Sequence, residues 1–379
     1  MRQEREEKKI CFITATRAEY GLLKWLMKEI EKSDEFELQV VVTGAHLLTE
    51  QGHTIDIIND DGFVINETVD AQLNTSSEEA IAESMGRIAE MFSHVFAKLM
   101  PDYVVVLGDR YELLPIVNTA FVMRIPIIHI SGGDVTEGAI DDGIRNAVTM
   151  LSEYHFPGTK DSADNIIRMR GSDRNVWAVG EPGLDSFYRE PLMDREELAG
   201  NLRLGIDKKW VLFTFHAETK ERPDYNLNAV KNCISLLLEM NDIQIVATYS
   251  NADFGGQYIN EYLEETAKKN TEKLIVIPSL GNRRYLSYMK QVCFVMGNSS
   301  SGICEAPILG IPVINIGDRQ KGRYQCSNII QTDTDKSSLH SAIENAMSRE
   351  TVNADYYWGD GHTAERICDI LKRELFVNE

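Results

Sequence analysis

The chain has 379 residues, of which 43% are hydrophobic and 26% charged, a composition typical of a globular protein with room for two hydrophobic cores. No apolar stretch approaches the roughly 18 to 20 residues that a membrane-spanning helix requires, so no membrane association is expected. The formal net charge of −20 argues against a nucleic-acid partner, because binding a polyphosphate requires a basic face.

The N-terminal residues are charged and lack the apolar centre of a signal peptide. Residues 1–8 are therefore predicted to be a disordered lead-in, and the protein is predicted to be cytoplasmic. Six cysteines occur without CxxC pairs, a pattern that indicates reduced thiols.

Short β-branched runs alternate with longer amphipathic stretches along most of the chain, the pattern of βα units on a parallel sheet. The predicted strands are 9–14, 38–43, 103–108, 125–130 and 175–180 in the first half, and 210–215, 243–248, 274–279, 293–298 and 311–316 in the second.

The stretch between the two halves, 189–209, is polar and contains no strand candidate, so the domain boundary is placed there. The fold class predicted is α/β, with Rossmann-like domains at 9–190 and 205–360 that face each other across a cleft. A C-terminal helix in 361–379 is predicted to pack back on the first domain. Ligands of such sheets bind beyond the carboxyl ends of the strands.

Two turns of the first half place charged residues at such strand ends. ITATRAEYGLLKWLMKEI (13–30) predicts a strand that leads into a helix, with Arg17 in the turn. Arg17 can contact a diphosphate; the alternative is a solvent-facing side chain beside Glu19. YVVVLGDRYE (103–112) places Asp109 and Arg110 after a buried strand, where Asp109 can act on a ligand or cap a helix that starts near Tyr111.

An unusual concentration of acids and glycines follows the predicted strand 125–130, in HISGGDVTEGAIDDGIR (129–145). Neighbouring carboxylates raise one another's pKa, so this group can supply both an acid and a base. The alternative, a loop that caps the next helix, explains one acid but not the cluster. No cysteine accompanies the acids, and no metal site or cofactor is predicted. The four carboxylates are Asp134, Glu137, Asp141 and Asp142.

Two stretches of the second half complete the candidate site. MGNSSSGICEAPILGIP (296–312) leaves a strand and enters a helix through Ser299, Ser300 and Ser301, and backbone N–H groups at such a helix start can bind phosphate. Glu305 is predicted one turn inside that helix, where it can accept both ribose hydroxyls or complement the helix dipole. His216 directly follows the predicted strand 210–215 and can be functional or structural.

Together these motifs resemble the UDP-N-acetylglucosamine 2-epimerases, and most closely the hydrolysing type that serves sialic and related nonulosonic acid synthesis. The resemblance extends from about residue 9 to the C-terminal helix and is most specific over 298–323, which includes GIPVINIGDRQKGR. It implies a fold similar to that of two-domain (GT-B-like) glycosyltransferases. The non-hydrolysing branch has a lysine where this chain has Leu22, which favours the hydrolysing branch.

The resemblance also implies roles for the site residues. Ser299, Ser300 and Ser301 would hold the diphosphate and Glu305 the ribose. Arg17 and His216 would contact the phosphate nearest the sugar, with His216 counted among the catalytic residues. Arg110 would bind the substrate, and Arg319 would support the nucleotide side. Asp109, Asp134, Asp141 and Asp142 would transfer protons at the hexose, and Arg145 would orient them. Relatives often have Glu or His at position 131 and Glu at 134, where this chain has Ser131 and Asp134, so the base within the cluster is left open.

The implied reaction converts UDP-N-acetylglucosamine and water to N-acetylmannosamine and UDP through 2-acetamidoglucal, in a homodimer or higher homo-oligomer. Three alternatives stay open at this point. The substrate can be a UDP-2,4-diacetamido-2,4,6-trideoxyhexose, or the protein can be a glycosyltransferase of the same fold or a non-catalytic sensor of UDP-sugars.

Overall fold

The computed structural model describes residues 7–48, 53–74, 76–135, 141–251, 254–349 and 352–376. Their contacts divide the chain into two compact units. Unit 1 comprises the described parts of Met1–Asp134, Asp141–Ser186 and Gly359–Glu379, and unit 2 those of Val135–Ile140 and Phe187–Trp358.

Unit 1 is built on six short strands with helices between them. Its elements are β1 (Lys8–Thr14), α1 (Arg17–Glu31), β2 (Phe36–Thr43), α2 (Ile55–Asp60), β3 (Glu67–Val69), α3 (Glu78–Leu99), β4 (Tyr103–Leu107), α4 (Leu113–Val122), β5 (Ile127–Ile130), α5 (Asp141–Leu151), β6 (Tyr154–Phe156), α6 (Lys160–Arg170) and, after unit 2, α14 (Thr363–Phe376), while α7 (Asp185–Arg189) crosses the boundary.

Unit 2 repeats this alternation. Its elements are α8 (Arg195–Leu202), β7 (Lys209–Thr214), α9 (Pro223–Glu239), β8 (Ile243–Thr248), α10 (Gly256–Lys269), β9 (Leu274–Ile277), α11 (Gly281–Met289), β10 (Phe294–Gly297), α12 (Ser300–Cys304), β11 (Val313–Ile316), β12 (Ile329–Thr332) and α13 (Lys336–Ser348).

Both sheets are parallel and share one topology. The strand order is β3-β2-β1-β4-β5-β6 in unit 1 and β12-β11-β10-β7-β8-β9 in unit 2, which is the same Rossmann order when each unit's strands are counted from its own first strand. The predicted α/β class with two Rossmann-like units is confirmed. The strand order reverses between β1 and β4 and between β7 and β10, and these switch points are where such sheets bind ligands.

The strands are apolar on both faces because helices cover both faces of each sheet. In β1, Ile10 and Phe12 belong to the core that α1 and α14 cover, whereas Cys11 and Ile13 belong to the core under α3 and α4. The C-terminal helix α14 packs on α1. All six cysteines are free thiols.

The predicted strand 175–180 is wrong. This described segment forms only an isolated bridge, between Val176 and His155. Its apolar character reflects side-chain packing instead, since the Trp177 ring stacks on the rings of Tyr154 and Phe156. The prediction also missed β3, β6 and β12, which have three or four residues each and therefore present too little periodicity to detect.

Candidate active site

The turn after β1 is organised by the first residues of α1. Thr16 caps the helix, since its hydroxyl accepts a hydrogen bond from the Glu19 amide at 3.3 Å. The Glu19 side chain turns inward, is 4% exposed, and accepts a hydrogen bond from the Ala15 amide at 2.8 Å. Arg17, the first residue of α1, is half-buried. Glu19 is thus buried beside the half-buried Arg17, and the role of Arg17 stays a prediction.

Arg110 and Glu112 form an ion pair beyond β4. Arg110 donates to both carboxylate oxygens of Glu112, at 3.1 and 3.3 Å, and the Glu112 side chain is fully buried. Because β1 and β4 are neighbours, this pair lies near Glu19. Burial raises the pKa of Glu19 to about 8, and the Glu112 carboxylate contributes a smaller rise. Sequence reasoning missed Glu112, whose only signal was an acid near a strand end.

Arg145 gathers the predicted acids of unit 1. Its guanidinium is 1% exposed and forms ion pairs with Asp109 and, at 3.4 Å, with Asp142. It also donates to the main-chain carbonyl of Asp134 at 2.8 Å. Asp109 is not a helix cap, because α4 begins only at Leu113 and Glu112 occupies its N-cap position. A buried cation thus holds residues from the ends of β4 and β5 and from α5 together.

Asp134 lies deeper than the other acids. It is 6% exposed, and its Oδ1 accepts a 2.5 Å hydrogen bond from the Ser162 hydroxyl. The preceding glycines permit this: a Cβ at Gly132 would collide with the His129 ring, and one at Gly133 with the Ser162 carbonyl. The lack of side-chain bulk in this loop is therefore a packing requirement. Asp141 begins α5 and is half-buried, and Glu137 lies outside the described residues.

Glu181 is a further carboxyl group at the end of β5 that sequence reasoning missed. The Ser131 hydroxyl donates to its Oε2 at 3.0 Å. Ser131 is the first residue after β5 and has a left-handed φ of 56°, which is unusual for a residue other than glycine. A Cβ at Gly158 would collide with the Glu181 carboxylate. Fifty positions separate the two partners in the chain, so no local pattern signals their contact.

The serine-rich loop of unit 2 follows β10. Ser299 is the N-cap residue of α12, but within the described part of the chain its hydroxyl makes no capping bond. It lies 3.1 Å from the Ser301 hydroxyl, which also lies 2.5 Å from the Tyr285 hydroxyl. The hydroxyls of Ser299, Ser301 and Tyr285 therefore form a serine cluster at the end of β10, and the sequence did not indicate Tyr285. Ser300 is exposed.

Glu305 is not inside a helix as predicted. It is the C-cap residue of α12, which has only five residues. Pro307 follows two positions later in a short 3-10 turn, and a proline cannot donate the hydrogen bond that would continue the helix. Desolvation raises the pKa of Glu305 to about 7, so its carboxyl group is partly protonated near neutral pH.

Asn298 ties the loops after β7, β10 and β11 together. Its buried side chain accepts from the His216 amide at 2.7 Å and donates to the His216 carbonyl at 2.9 Å. Its own carbonyl accepts from Gln320 at 2.9 Å and from Arg319 at 3.3 Å. The predicted His216, serine cluster and Arg319 thus meet at one edge of the sheet.

His216 has a defined tautomer. Its Nδ1 accepts a hydrogen bond from the Asn251 amide at 3.1 Å, so the proton of the neutral ring lies on Nε2, which can then donate to an anion. Two residues later, Glu218 is buried, and its Oε1 has no hydrogen-bond partner among the described residues. Burial raises the pKa of Glu218, and a Cβ at Gly317 would collide with its carboxylate.

Two kinds of feature are absent from the described residues. These residues contain no group of three or more His, Cys, Asp and Glu side chains able to hold a metal ion. None of their helices is both long enough and apolar enough to span a bilayer.

The family model for UDP-N-acetylglucosamine 2-epimerase matches residues 28–372. The chain belongs to this family. It is 35% identical over 344 residues to the hydrolysing GDP/UDP-N,N'-diacetylbacillosamine 2-epimerase of Campylobacter jejuni, covering 91% of this chain and 88% of that protein. It is 31% identical to the hydrolysing UDP-N,N'-diacetylbacillosamine 2-epimerase of Legionella pneumophila, covering 96% of both chains.

Among solved structures, a Methanocaldococcus jannaschii UDP-GlcNAc 2-epimerase in complex with UDP-GlcNAc and UDP has the same fold. The TM-score is 0.81 at 20% identity, over 96% of this chain and 99% of that chain. The resemblance to the hydrolysing 2-epimerases that the sequence suggested is confirmed. This family member is a UDP-sugar 2-epimerase.

Proposed function

We propose that this UDP-sugar 2-epimerase is of the hydrolysing kind: it releases UDP and a free 2-acetamido sugar inverted at C2. Two substrates are supported. UDP-N,N'-diacetylbacillosamine is named for the relatives from Campylobacter and Legionella, which are 35% and 31% identical. UDP-N-acetylglucosamine, the substrate expected from the sequence, is named in the description of the family model. We place the diacetamido sugar first because sequence identity to those relatives is above 30%.

The observation that carries the proposal is the Arg145 cluster. A buried guanidinium that binds two carboxylates from different elements is costly to desolvate, and a site whose only task is to bind an anionic UDP-sugar has no need of those carboxylates. Proton transfer at carbon does need them. Because Arg145 holds these carboxylates in place, each of them can exchange a proton with the substrate without changing position.

The reaction needs both the carboxylates that transfer protons and the groups that bind the diphosphate. C2 of an acetamido sugar has no adjacent carbonyl to acidify its proton, so the C1–O bond must break as the proton leaves. The electrons of the C2–H bond form the C1=C2 bond, those of the C1–O bond leave with UDP, and the proton passes to a carboxylate. A carboxyl group then returns a proton to C2 from the other face, and water adds at C1.

The departing diphosphate requires cations and hydrogen-bond donors. We propose that Ser299, Ser300, Ser301, Arg319 and His216 supply them in unit 2, with Glu305 on the ribose. In unit 1 we propose Arg17 and Arg110 as phosphate ligands and Asp109, Asp134, Asp141 and Asp142 as the set from which the proton-transfer groups are drawn. The depth of Asp134 and its bond to Ser162 make it the least accessible of the four.

Product analysis tests the proposal. The protein is incubated with each of the two UDP-sugars without added metal or acceptor; UDP is measured by chromatography and the sugar is identified by proton NMR. We expect equimolar UDP and a free sugar of inverted C2 configuration. A UDP-linked epimer would instead indicate a non-hydrolysing enzyme, and an inert protein that still binds UDP would indicate a sensor. UDP release that requires an acceptor would indicate a glycosyltransferase.

We also propose that the protein is a homodimer or a higher homo-oligomer, as expected from the sequence. Three consecutive large apolar side chains are exposed at the end of α4 in unit 1, namely Phe121, Val122 and Met123. Exposed apolar side chains that cluster in this way often mark an interface. Sedimentation velocity distinguishes a dimer from a monomer of 42.9 kDa. A cytoplasmic location stays a prediction.

A further inference from the structure

Glu19 is a buried carboxyl group that the reaction proposed above does not use. It is 4% exposed; its Oε2 accepts the Ala15 amide, while its Oε1 is buried without a hydrogen-bond partner among the described residues. A buried charged carboxylate with one unsatisfied oxygen is costly, whereas a protonated carboxyl group is much less so.

Charged groups after β4 act on Glu19 in opposite directions. Arg110 favours ionisation of Glu19, but this guanidinium is bound through two of its nitrogens to Glu112, whose carboxylate opposes ionisation more strongly. After β2, His46 is buried between the hydroxyls of Thr14 and Thr54. Burial lowers the pKa of His46 to about 4, so this ring is uncharged near neutral pH. On the helix of Glu19 itself, the charged neighbour in the first turn is Arg17.

Glu19 also occupies a sensitive place. It lies in the first turn of α1, a helix of 15 residues that starts at the carboxyl end of β1, beside the switch point of the unit 1 sheet. The amides and the positive end of the helix dipole favour an anion at this place. An ionised Glu19 would compete with that anion, whereas a protonated Glu19 would not.

We propose that Glu19 is a positioning residue that must carry a proton for the diphosphate of the substrate to bind at the turn between β1 and α1. The proposal rests on the proposed function, since it takes the diphosphate of UDP as the ligand. When Glu19 is ionised in the free enzyme, binding takes one proton from solvent onto its carboxylate.

The sign of the pH dependence follows from linkage. Burial raises the pKa of Glu19 to about 8, so in the free protein the carboxyl group is mostly protonated at lower pH and ionised at higher pH. A bound phosphate favours the protonated form further. Affinity for UDP should therefore fall as the pH rises past about 8, by up to about tenfold per pH unit, with proton uptake over the same range.

The experiment is isothermal titration calorimetry of UDP into the full-length protein, at pH values of about 6.5, 8 and 9.5. Two buffers of different ionisation enthalpy are used at each pH, so that proton uptake is measured directly. Glu19→Gln keeps the shape of the side chain and mimics its protonated form. Glu31→Gln makes the same chemical change at an exposed position of the same helix and serves as the matched control.

We expect wild-type protein and Glu31→Gln to take up a proton above about pH 8 and to lose affinity there. Glu19→Gln should bind as tightly as wild type at pH 6.5 and should lack both the uptake and the alkaline loss. An unchanged pH dependence in Glu19→Gln overturns the proposal. So does an absence of proton uptake in the wild type, a result that needs no variant. If wild type fails to bind UDP at any pH, the proposed function fails as well, and this outcome is distinct from the other two.

Discussion

Unit 1 and unit 2 share a strand order and a local sequence pattern but place different chemistry on them. The first strand of each sheet is followed by a cationic or imidazole residue, an alanine and a glutamate: Arg17 to Glu19 after β1, and His216 to Glu218 after β7. Both glutamates are buried, each has an Oε1 without a partner among the described residues, and burial raises the pKa of both.

The two units differ in the residue that binds the loops at the strand ends to one another. In unit 1 the organiser is the charged Arg145, which binds Asp109 and Asp142. In unit 2 it is the neutral Asn298, which binds the main chain of His216 and accepts from Arg319 and Gln320. Under the proposed function, the same frame carries the proton-transfer set in unit 1 and most of the diphosphate donors in unit 2. Turnover and nucleotide affinity should therefore be separable by substitution.

The largest effect is expected from Asp109→Asn in unit 1. Losing one proton-transfer group or its charge should lower kcat on the order of a hundred- to ten-thousandfold. Affinity for UDP, measured by calorimetry, should be unchanged because Asp109 is not among the groups proposed to bind the diphosphate. Asp164→Asn, an exposed position on α6, is the matched control. A kcat within twofold of wild type would remove Asp109 from the mechanism.

The next effect concerns stability and follows from the buried glutamate of unit 1. Burial raises the folded-state pKa of Glu19 to about 8, while an unfolded glutamate titrates near about 4.3. Wild type should therefore lose stability as the pH rises from about 4 to 8, because the unfolded chain gives up this proton first. Glu19→Gln avoids the loss.

The free energy of unfolding of Glu19→Gln should therefore exceed that of wild type by a growing margin, a few kcal/mol at about pH 8. Urea denaturation of both proteins at about pH 5 and pH 8 measures it. A difference that does not depend on pH would show that Glu19 is not protonated in the folded protein.

A smaller effect is expected from Asn298→Ala in unit 2. The substitution leaves the His216 amide and carbonyl without their buried partner and releases that loop from the end of β10. Affinity for UDP should fall about ten- to a hundredfold, corresponding to one or two buried hydrogen bonds. Unaltered affinity, with the protein still folded by circular dichroism, would mean that Asn298 does not organise the anion donors.

The smallest effect is expected from Tyr285→Phe, which removes one hydroxyl from the serine cluster and nothing else. The Ser301 hydroxyl loses a partner at 2.5 Å, so affinity for UDP should fall about two- to tenfold. Tyr258→Phe, an exposed tyrosine on α10, provides the control. Equal affinities for the two variants would place Tyr285 outside the binding site.

Much of the frame was predictable from the sequence, because a strand covered on both faces leaves a continuous apolar run. The strands β3, β6 and β12 were missed because they are short. The segment 175–180 is apolar because Trp177 stacks on Phe156, but it pairs with β6 only through an isolated bridge. The sequence also indicated the site residues that follow strands, because parallel sheets bind ligands at the carboxyl ends of their strands. The contact of Ser131 with Glu181 was not indicated, since it joins segments far apart in the chain. Glu305 was wrongly predicted inside a helix, because Pro307 prevents α12 from continuing past it.

The central claim, that the carboxylates of unit 1 transfer a proton at C2 as UDP is released, is tested most directly by proton NMR in D2O with the substrate that turns over. Wild-type protein should release UDP together with a free sugar of inverted configuration that carries deuterium at C2. Asp109→Asn should bind UDP but incorporate no deuterium. A product that retains its original C2 proton, or a variant that exchanges as fast as wild type, would contradict the account.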